Sequence, residues 1–406
     1  MPVLSNIGFL ATCLDKGTQK DIHPVRDAAI AWEGERIQWV GPKHQLPDNF
    51  QQGEIIDGRG KMVIPGLVDC HTHLAFGGWR SDEFEMRVQG KSYLEIAQSG
   101  GGILSTVRET RAAGEDELFQ KSFDFLRKMS VMGITTVECK SGYGLTAEDE
   151  LKTLRVYKRL KQEQTLHIVS TFLGAHTIPP EFKQDRSKYI ELIIEKMLPA
   201  IARDDLAEFC DVFVEKSAFT IEEARNILTA GKVYGLEPKL HADQLTDMGG
   251  ARLAAELEAR SADHLEQISQ SGIEAMAKTG VIGVTLPLAS LYTQQPLLRA
   301  RKLVDAGVQV AVATDFNPGS APSYDLPLAM MLTCNQGGLT PAEVLKGATL
   351  YGAKAISHDH TTGSIEAGKF ADFAIIDAPD PNFWMYHYRP NACIETYVKG
   401  VQVYAG

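Results

Sequence analysis

The chain of 406 residues is poor in the features that would direct it to a membrane, an oxidising compartment or a nucleic acid. Cysteine is scarce: six residues, at 13, 70, 139, 210, 334 and 393, with no CxxC pair among them. Scattered single thiols exclude a disulfide framework and a zinc knuckle, and predict buried, reduced cysteines in the cytoplasm. Positive charge is in deficit. Lys and Arg number 41 against 52 Asp and Glu, a net charge of −11, so there is no basic footprint for nucleic acid or an anionic membrane. An anionic small molecule is still admissible, because one or two local cations suffice to hold it. Long apolar runs are missing too. The nearest approach, TGVIGVTLPLASLYTQQPLL, is interrupted by prolines, glutamines and hydroxyls and reads as strand plus loop. The opening MPVLSNIGFLATCLDKG lacks the basic start and apolar stretch of a signal peptide, so no secretion leader is expected. Repeats, low-complexity tracts and long charge runs are also absent. The expectation left standing is a cytoplasmic enzyme or small-molecule binder.

From about residue 60 short apolar runs alternate with longer amphipathic ones. Eight runs have strand character: MVIPGLVD, GITTVEC, LHIVSTFLG, CDVFVE, LEPKLHA, ARSADHL, GVIGVTLP and GVQVAVATD. Between them EDELFQKSFDFLRKMSVM, AEDELKTLRVYKRLKQE and TIEEARNILTAGKVYG carry apolar residues at helical spacing, and glycine often follows where a C-cap needs it. Eight strands interleaved with helices predict a parallel (β/α)8 TIM-like barrel over residues 61–359, with a doubly wound sheet as the other α/β arrangement of such a pattern. The ends alternate differently. AAIAWEGERIQWVGP, GKFADFAIID and ACIETYVKGVQVYAG read as hairpin material, with EGER and VKGV as turns. Neither end supplies enough strands for a sheet of its own. Residues 1–60 and 360–406 are therefore expected to join as one small β-sandwich domain beside the barrel.

The chemistry begins at IPGLVDCHTHLAFGGWR. Residues two apart in a strand face the same side, so His71 and His73 point together from the carboxyl end of the first barrel strand. That is the face where barrel active sites collect, and two converging imidazoles make half of a metal site. HxH is short enough to occur by chance in an exposed loop. His241 closes EPKLHADQ, the expected fifth strand, and Asp315 closes VQVAVATDFNPGS, the eighth. An acid ending so apolar a run is costly to bury unless it is paired or metal-bound. Three His and one Asp at strand ends suit Zn²⁺ or Fe²⁺ with one open water position. The other readings are a structural His241 bonded to Asp243, and Asp315 as a helix N-cap. A metal lowers the pKa of bound water from near 16 to roughly 7. His264, in SADHLEQ at the end of the sixth strand, could serve as the nearby general base, or be a buried hydrogen-bonding histidine.

These residues sit in longer motifs. PGLVDCHTH, TDFNPG and the tail GSIEAGKFADFAIID resemble the amidohydrolase superfamily across nearly the full chain. Within it, FGGWRSDEFEMRVQGKSYLEIAQSGGGILSTVRETRAA, KSGYGL, TFLGAHTIPPEF, LHADQL, SADHLEQ and TDFNPGSAPS resemble the imidazolonepropionase family of histidine degradation. HxH alone is weak, whereas this ordered series is specific. The resemblance implies a barrel of the metal-dependent amidohydrolase type, holding one metal ion per subunit, zinc or iron (Fe²⁺ or Fe³⁺), on His71, His73, His241 and Asp315. It also implies a homodimer. There is no sign of the bridging carboxylated lysine of binuclear relatives, and Lys140 reads as structural or as a support for the ligands.

The activity implied is hydrolysis of the cyclic amide of 4-imidazolone-5-propanoate, an anionic substrate, to N-formimidoyl-L-glutamate. Metal-bound hydroxide would attack the ring carbonyl, with His264 and Asp315 in proton transfer. Carried over to the pocket, the resemblance gives Arg80 the substrate's carboxylate, which a guanidinium can fork. Tyr143 would offer a hydroxyl and a ring face, and His176 a hydrogen bond. Asn317, Gly319 and Ser320 would reach the ring nitrogens. Each has a plain alternative: a surface arginine in a glycine-rich loop, a packed loop tyrosine, a turn histidine before two prolines, and ordinary turn chemistry in NPGS. At position 244 some members of the family carry Glu and others Gln. Gln244 can hold the ring but cannot act as a carboxylate base, so the base falls to His264 or Asp315. Two rival readings use the same residues: another single-metal amidohydrolase such as a nucleobase deaminase, and a non-catalytic barrel kept as a binding protein.

Overall fold

The computed structural model describes residues 1–50, 52–91, 95 and 100–406; positions 92–94 and 96–99 of the long glycine-flanked motif lie outside the described residues. Its strands divide into two eight-stranded sheets. One contains only parallel strands, in the order of the chain: β6 (Leu67–Thr72), β7 (Ile134–Lys140), β8 (His167–Ala175), β9 (Phe209–Phe213), β10 (Glu237–Ala242), β11 (Ser261–His264), β12 (Ile282–Thr285) and β13 (Val310–Val312). Beyond β13 the chain turns back onto β6. Asp315 N–H donates to His71 O (3.0 Å) and His73 N–H to Phe316 O (2.8 Å), and Thr72 bridges Phe316 in parallel. These bonds draw the eighth strand's end to the first, completing the expected (β/α)8 barrel.

The intervening helices form for the reasons their sequences suggest. Glu115–Ser130 buries Leu118, Phe119, Ser122, Phe125, Leu126 and Met129, a stripe at spacings of one and three to four residues. Three of its four acids lie in the first turn and Arg127 and Lys128 in the last, as the helix dipole favours. Ala147–Glu163 is capped by Thr146, whose hydroxyl accepts from Asp149 N–H, and Ile221–Val233 starts on a Thr220–Glu223 capping box.

The second sheet is mixed and comes from both termini. Its strands run β16 (Val401–Ala405), β15 (Cys393–Val398), β14 (Phe373–Ile376), β5 (Met62–Pro65), β1 (Val3–Ala11), β2 (Pro24–Glu33) and β3 (Arg36–Pro42), with β4 (Ile55–Asp57) beside β1. The hairpin turns fall at EGER and VKGV, as expected. Apolar residues of its inner strands alternate in destination: Met62, Ile64, Ala374 and Ile376 face the barrel core, while Val63, Phe373 and Ile375 join a separate cluster with Leu4, Ile30, Trp32 and Tyr397. Trp32 and Phe373 lie three strands apart in hydrogen-bonding order, yet their rings are 5.4 Å apart. Flat neighbours at that separation would be about 14 Å apart, so the sheet curls over a small core of its own.

One strand assignment is corrected. MVIPGLVD was expected as the first barrel strand, but it divides at Gly66: Met62–Pro65 pairs with β1 and β14, and only Leu67–Thr72 with β7. The terminal sheet therefore reaches Pro65, past the residue-60 limit expected for it. A Cβ on Gly66 would lie 2.1 Å from Thr135 Oγ1, so the crossover from one sheet to the other needs glycine there. Among the described residues no helix is long and apolar enough to cross a membrane.

Candidate active site

The carboxyl ends of the barrel strands carry the chemistry. His71 belongs to β6 and His73 follows it, His241 lies in β10, His264 ends β11, and Asp315 stands three residues after β13. The backbone bonds that close the barrel bring Asp315 beside the two β6 histidines: its Oδ1 lies 3.3 Å from His71 Nε2 and 3.4 Å from His73 Nε2. The His71 and His241 rings are 4.5 Å apart, and His264 lies 5.3 Å from His241 and 5.6 Å from His71. His176, just past β8, stacks on His73 at 5.1 Å. Ligand atoms of His71, His73 and Asp315, of His71, His241 and His264, and of His73, His176 and His241 each fall within 4.8 Å of one another. The two other readings of the ligands are not realised. Asp243 accepts from the N–H groups of Met248, Gly250 and Ala251 and does not face His241, and the helix after Asp315 starts only at Leu326.

Three observations fit a cation to this cluster. First, His71 Nε2, His73 Nδ1, His241 Nε2 and His264 Nδ1 are buried without a hydrogen-bond partner, a costly condition that a ligand would relieve. Second, burial and then Lys140 hold His73 down at about 3, and burial takes His71 well below its usual range and His241 to about 4 although Asp211 opposes it. Neutral imidazole is the form that binds metal. Third, Glu138, Asp211, Asp263 and Asp315 are buried with only Lys140 and Lys239 among them. With the buried Asp69 beside Glu138, the acids of this interior outnumber its lysines, an excess that a cation would reduce.

Carboxylates behind the ring orient it. Asp263 Oδ2 lies 2.6 Å from His71 Nδ1, and Asp211 Oδ2 lies 3.0 Å from His241 Nδ1. Both rings thereby turn Nε2 inward, the usual carboxylate–histidine–metal arrangement. Lys140 Nζ joins the supports, 2.7 Å from Glu138, 2.9 Å from Asp211 and 3.7 Å from Asp263. Burial opposes its charge, but Asp211 and Glu138 outweigh it and keep the ammonium protonated. These acids were missed in the sequence. The signal was an Asp or Glu inside the apolar runs TTVEC, CDVFV and SADH, where only a partner could keep it.

Above the cluster opens a cavity of about 740 Å³. His73, Arg80, Tyr143, His176, His241, Gln244, His264, Asp315, Asn317, Gly319 and Ser320 all line it, and His71 lies beneath. Tyr143 stacks obliquely against His73 and His176. His176 Nδ1 is 3.1 Å from Gly142 O, and burial keeps the ring neutral at about 3. Asn317 Oδ1 accepts from the N–H groups of Gly319 and Ser320, both at 2.8 Å, so the NPGS turn is built on this side chain. Asp315 is raised by burial against His264 and His241, and burial would lower His264 but Glu266 and Asp315 raise it. Both have positive φ, 56° and 79°; such backbone persists where surrounding structure imposes it, often at reacting centres.

Arg80 meets the cavity with one qualification. Its Nε and Nη2 donate to Glu83 (2.9 and 2.7 Å), so the fork expected for a substrate is already given to a protein carboxylate along that edge. Nη1 remains toward Gly319, where a Cβ would sit 2.0 Å away. Lys121 Nζ, donating to Phe76 O (3.0 Å) and Gly78 O (2.7 Å), pins the loop that carries it. Arg87 and Tyr292 also line the cavity. Arg87 lies within the glycine-flanked motif but was given no role there, and its meeting with Tyr292, about 200 residues on, is made only by the fold.

Residues 62–403 match the amidohydrolase family. The chain is 46% identical over 400 residues to the imidazolonepropionase of Geobacillus kaustophilus, covering 98% of this chain and 94% of that one. It is 47% identical over 415 residues to the imidazolonepropionase of Bacteroides fragilis, covering 99% and 97%. Among solved structures, it is similar to the atrazine chlorohydrolase of Arthrobacter aurescens complexed with zinc (TM-score 0.77, 17% identity, 100% and 95% covered). A zinc-bound adenosine deaminase from Xanthomonas campestris is also similar (TM-score 0.72, 17%, 100% and 93%). At such identities these two show the fold alone.

Proposed function

The chain belongs to the amidohydrolase family and, within it, to the imidazolonepropionases, and from that premise we propose that it opens 4-imidazolone-5-propanoate to N-formimidoyl-L-glutamate with the residues assembled above. The observation that carries this reading is the joining of two chemistries in one cavity: a cluster of imidazoles with unpartnered nitrogens at the floor, and a guanidinium at the wall. A cyclic amide bearing a carboxylate needs both.

His71, His73, His241 and Asp315 would hold the ion, one per subunit. Their nitrogen and oxygen donors suit zinc and iron alike. When bound, such an ion acidifies water and polarises a carbonyl. His264 accepts the proton of the attacking water and, once charged, steadies the oxyanion growing on the ring carbonyl. The proton taken from water then passes from His264 by way of Asp315 to the departing ring nitrogen as the C–N bond breaks, which returns both groups to their starting protonation. Gln244, lining the same wall, holds the ring by hydrogen bonds and takes no part in proton transfer, since an amide is no base at neutral pH. Arg80 binds the carboxylate, Tyr143 and His176 bracket the ring, and Asn317, Gly319 and Ser320 present polar groups to its nitrogens. We assign the same protein to the cytoplasm as a homodimer; its six unpaired cysteines support the first assignment.

The test combines metal analysis of the purified protein with product detection from fresh imidazolonepropionate. N-formimidoylglutamate is expected from protein carrying about one equivalent of metal. Its absence at full metal occupancy would overturn the reading, and ammonia release from nucleobases would favour the deaminase alternative.

A further inference from the structure

Arg80 is not alone at its end of the cavity. Seven residues on, Arg87 occupies the last turn of the helix Ser81–Val88 and lines the same cavity. Both guanidinia converge on one carboxylate oxygen: Glu83 Oε2 lies 2.7 Å from Arg80 Nη2 and 3.9 Å from Arg87 Nη2. Both also converge on Gly319. Arg87 Nη1 donates to Gly319 O (3.1 Å), and Arg80 Nη1 occupies the space where a side chain at 319 would begin. Tyr292 lies under the Arg87 guanidinium at 5.3 Å and is itself stacked on Phe84 at 5.6 Å, a face that favours a cation and limits its rotamers.

The charges here do not cancel. Two guanidinia share a single buried carboxylate, Glu83, which also accepts from Gly102 N–H (2.8 Å) and is held low by the Arg80 hydrogen bonds against its burial. Within this trio one positive charge is left uncompensated, with Lys91 also lining the cavity, and one ligand carboxylate would complete an alternating pair of cations and anions. Arg80 gives its Nε–Nη2 edge to Glu83, so it meets that ligand with less than a full fork. A second guanidinium held beside it supplies what the first has spent.

We propose that Arg87 is a second carboxylate-binding residue, and that Arg80 and Arg87 together form a two-guanidinium clamp selecting substrates with one carboxylate on the ring's side chain. Glu83 is the positioning residue of the clamp: it fixes the separation of the two cations and prevents them from repelling one another. This inference rests on the proposed activity for its substrate and extends it to a residue that the sequence motifs did not single out.

The experiment uses metal-loaded full-length protein, with Arg87→Gln and Arg87→Lys as variants and imidazole-4-propionate and imidazole as competitive probes. For Arg87→Gln, KM for imidazolonepropionate should rise roughly 10- to 100-fold, the usual worth of a charged hydrogen bond, with kcat changing far less. The inhibition constant of imidazole-4-propionate should rise in step while that of uncharged imidazole stays put. Arg87→Lys should fall between, since it keeps the charge and loses the fork. If both probes weaken equally, Arg87 merely braces the Asn317–Ser320 turn and the proposal is overturned. It is overturned equally if KM moves by less than about twofold. Wild-type protein that neither opens the ring nor binds either probe would instead remove the proposed activity, and the clamp with it.

Discussion

The small core inside the terminal sheet and the interior of the barrel are buried alike and built from opposite materials. In the first, Trp32, Phe373 and Tyr397 pack ring against ring, and the one indole N–H finds Gly400 O at 3.2 Å. In the second, acids, lysines and imidazoles fill the space, and several ring nitrogens face one another without partners. Satisfied burial stabilises a fold. Unsatisfied burial costs stability, and a structure keeps it where something outside the chain completes it. The barrel interior is thus a site that the remainder of the protein holds open.

The comparison can be broken most severely at the floor of the cavity. Replacing His71 with alanine, or stripping metal with a chelator, should abolish turnover while far-UV circular dichroism stays native; unfolding in either case would show the cluster to be structural. Next in size, Trp32→Ala should cost about 3–5 kcal/mol in urea unfolding, yet leave metal affinity unchanged, since its core is separate from the ligands. A drop in metal affinity would mean that the two interiors are coupled. Smaller again, Asp263→Asn should weaken metal binding about 10- to 100-fold in chelator competition, because His71 Nδ1–H then meets a neutral amide, which can also turn its NH2 to the ring, in place of the charged acceptor that fixes Nε2 inward. Equal affinity would discount that role.

The smallest effect lies on the rim of the terminal sheet. Hydrogen bonds from Lys61 (2.5 Å) and Arg389 (2.6 Å) pull Asp377 down to about 2 from an ordinary 3.8. A depressed folded-state pKa stabilises above the unfolded value and fades as pH falls through the folded one. Asp377→Asn should therefore lower the melting temperature slightly at pH 6, and the difference from wild type should shrink as pH falls from about 4 to about 2. A difference constant across that range would assign the effect to packing.

What could be read from the sequence follows the same division. Strand-end residues such as His71, His73, His241 and Asp315 stand out because an alternating or continuous apolar run stops on a polar group, and the barrel pattern says where strand ends meet. The carboxylates beneath them were visible but mute: nothing local says that Asp211 serves His241 or that Asp263 serves His71, since those pairings join different strands. Arg87 and Tyr292 meet only through folding. The division of MVIPGLVD was equally hidden, because both halves are apolar and the reason for Gly66 is a threonine almost 70 residues on.

The close approach of Arg80 to Gly319 bears on how this pocket could change over generations. While arginine stands at 80, any side chain at 319 collides with its Nη1. Once a smaller residue replaces it, position 319 becomes free to vary and to fill the vacated space. The two sites are thus coupled in substitution: with arginine at 80, a residue at 319 must push the guanidinium from the place its bonds to Glu83 hold, and a residue acquired at 319 after 80 has shortened would oppose the arginine's return. A shift away from carboxylate substrates would, by this contact, act as a ratchet.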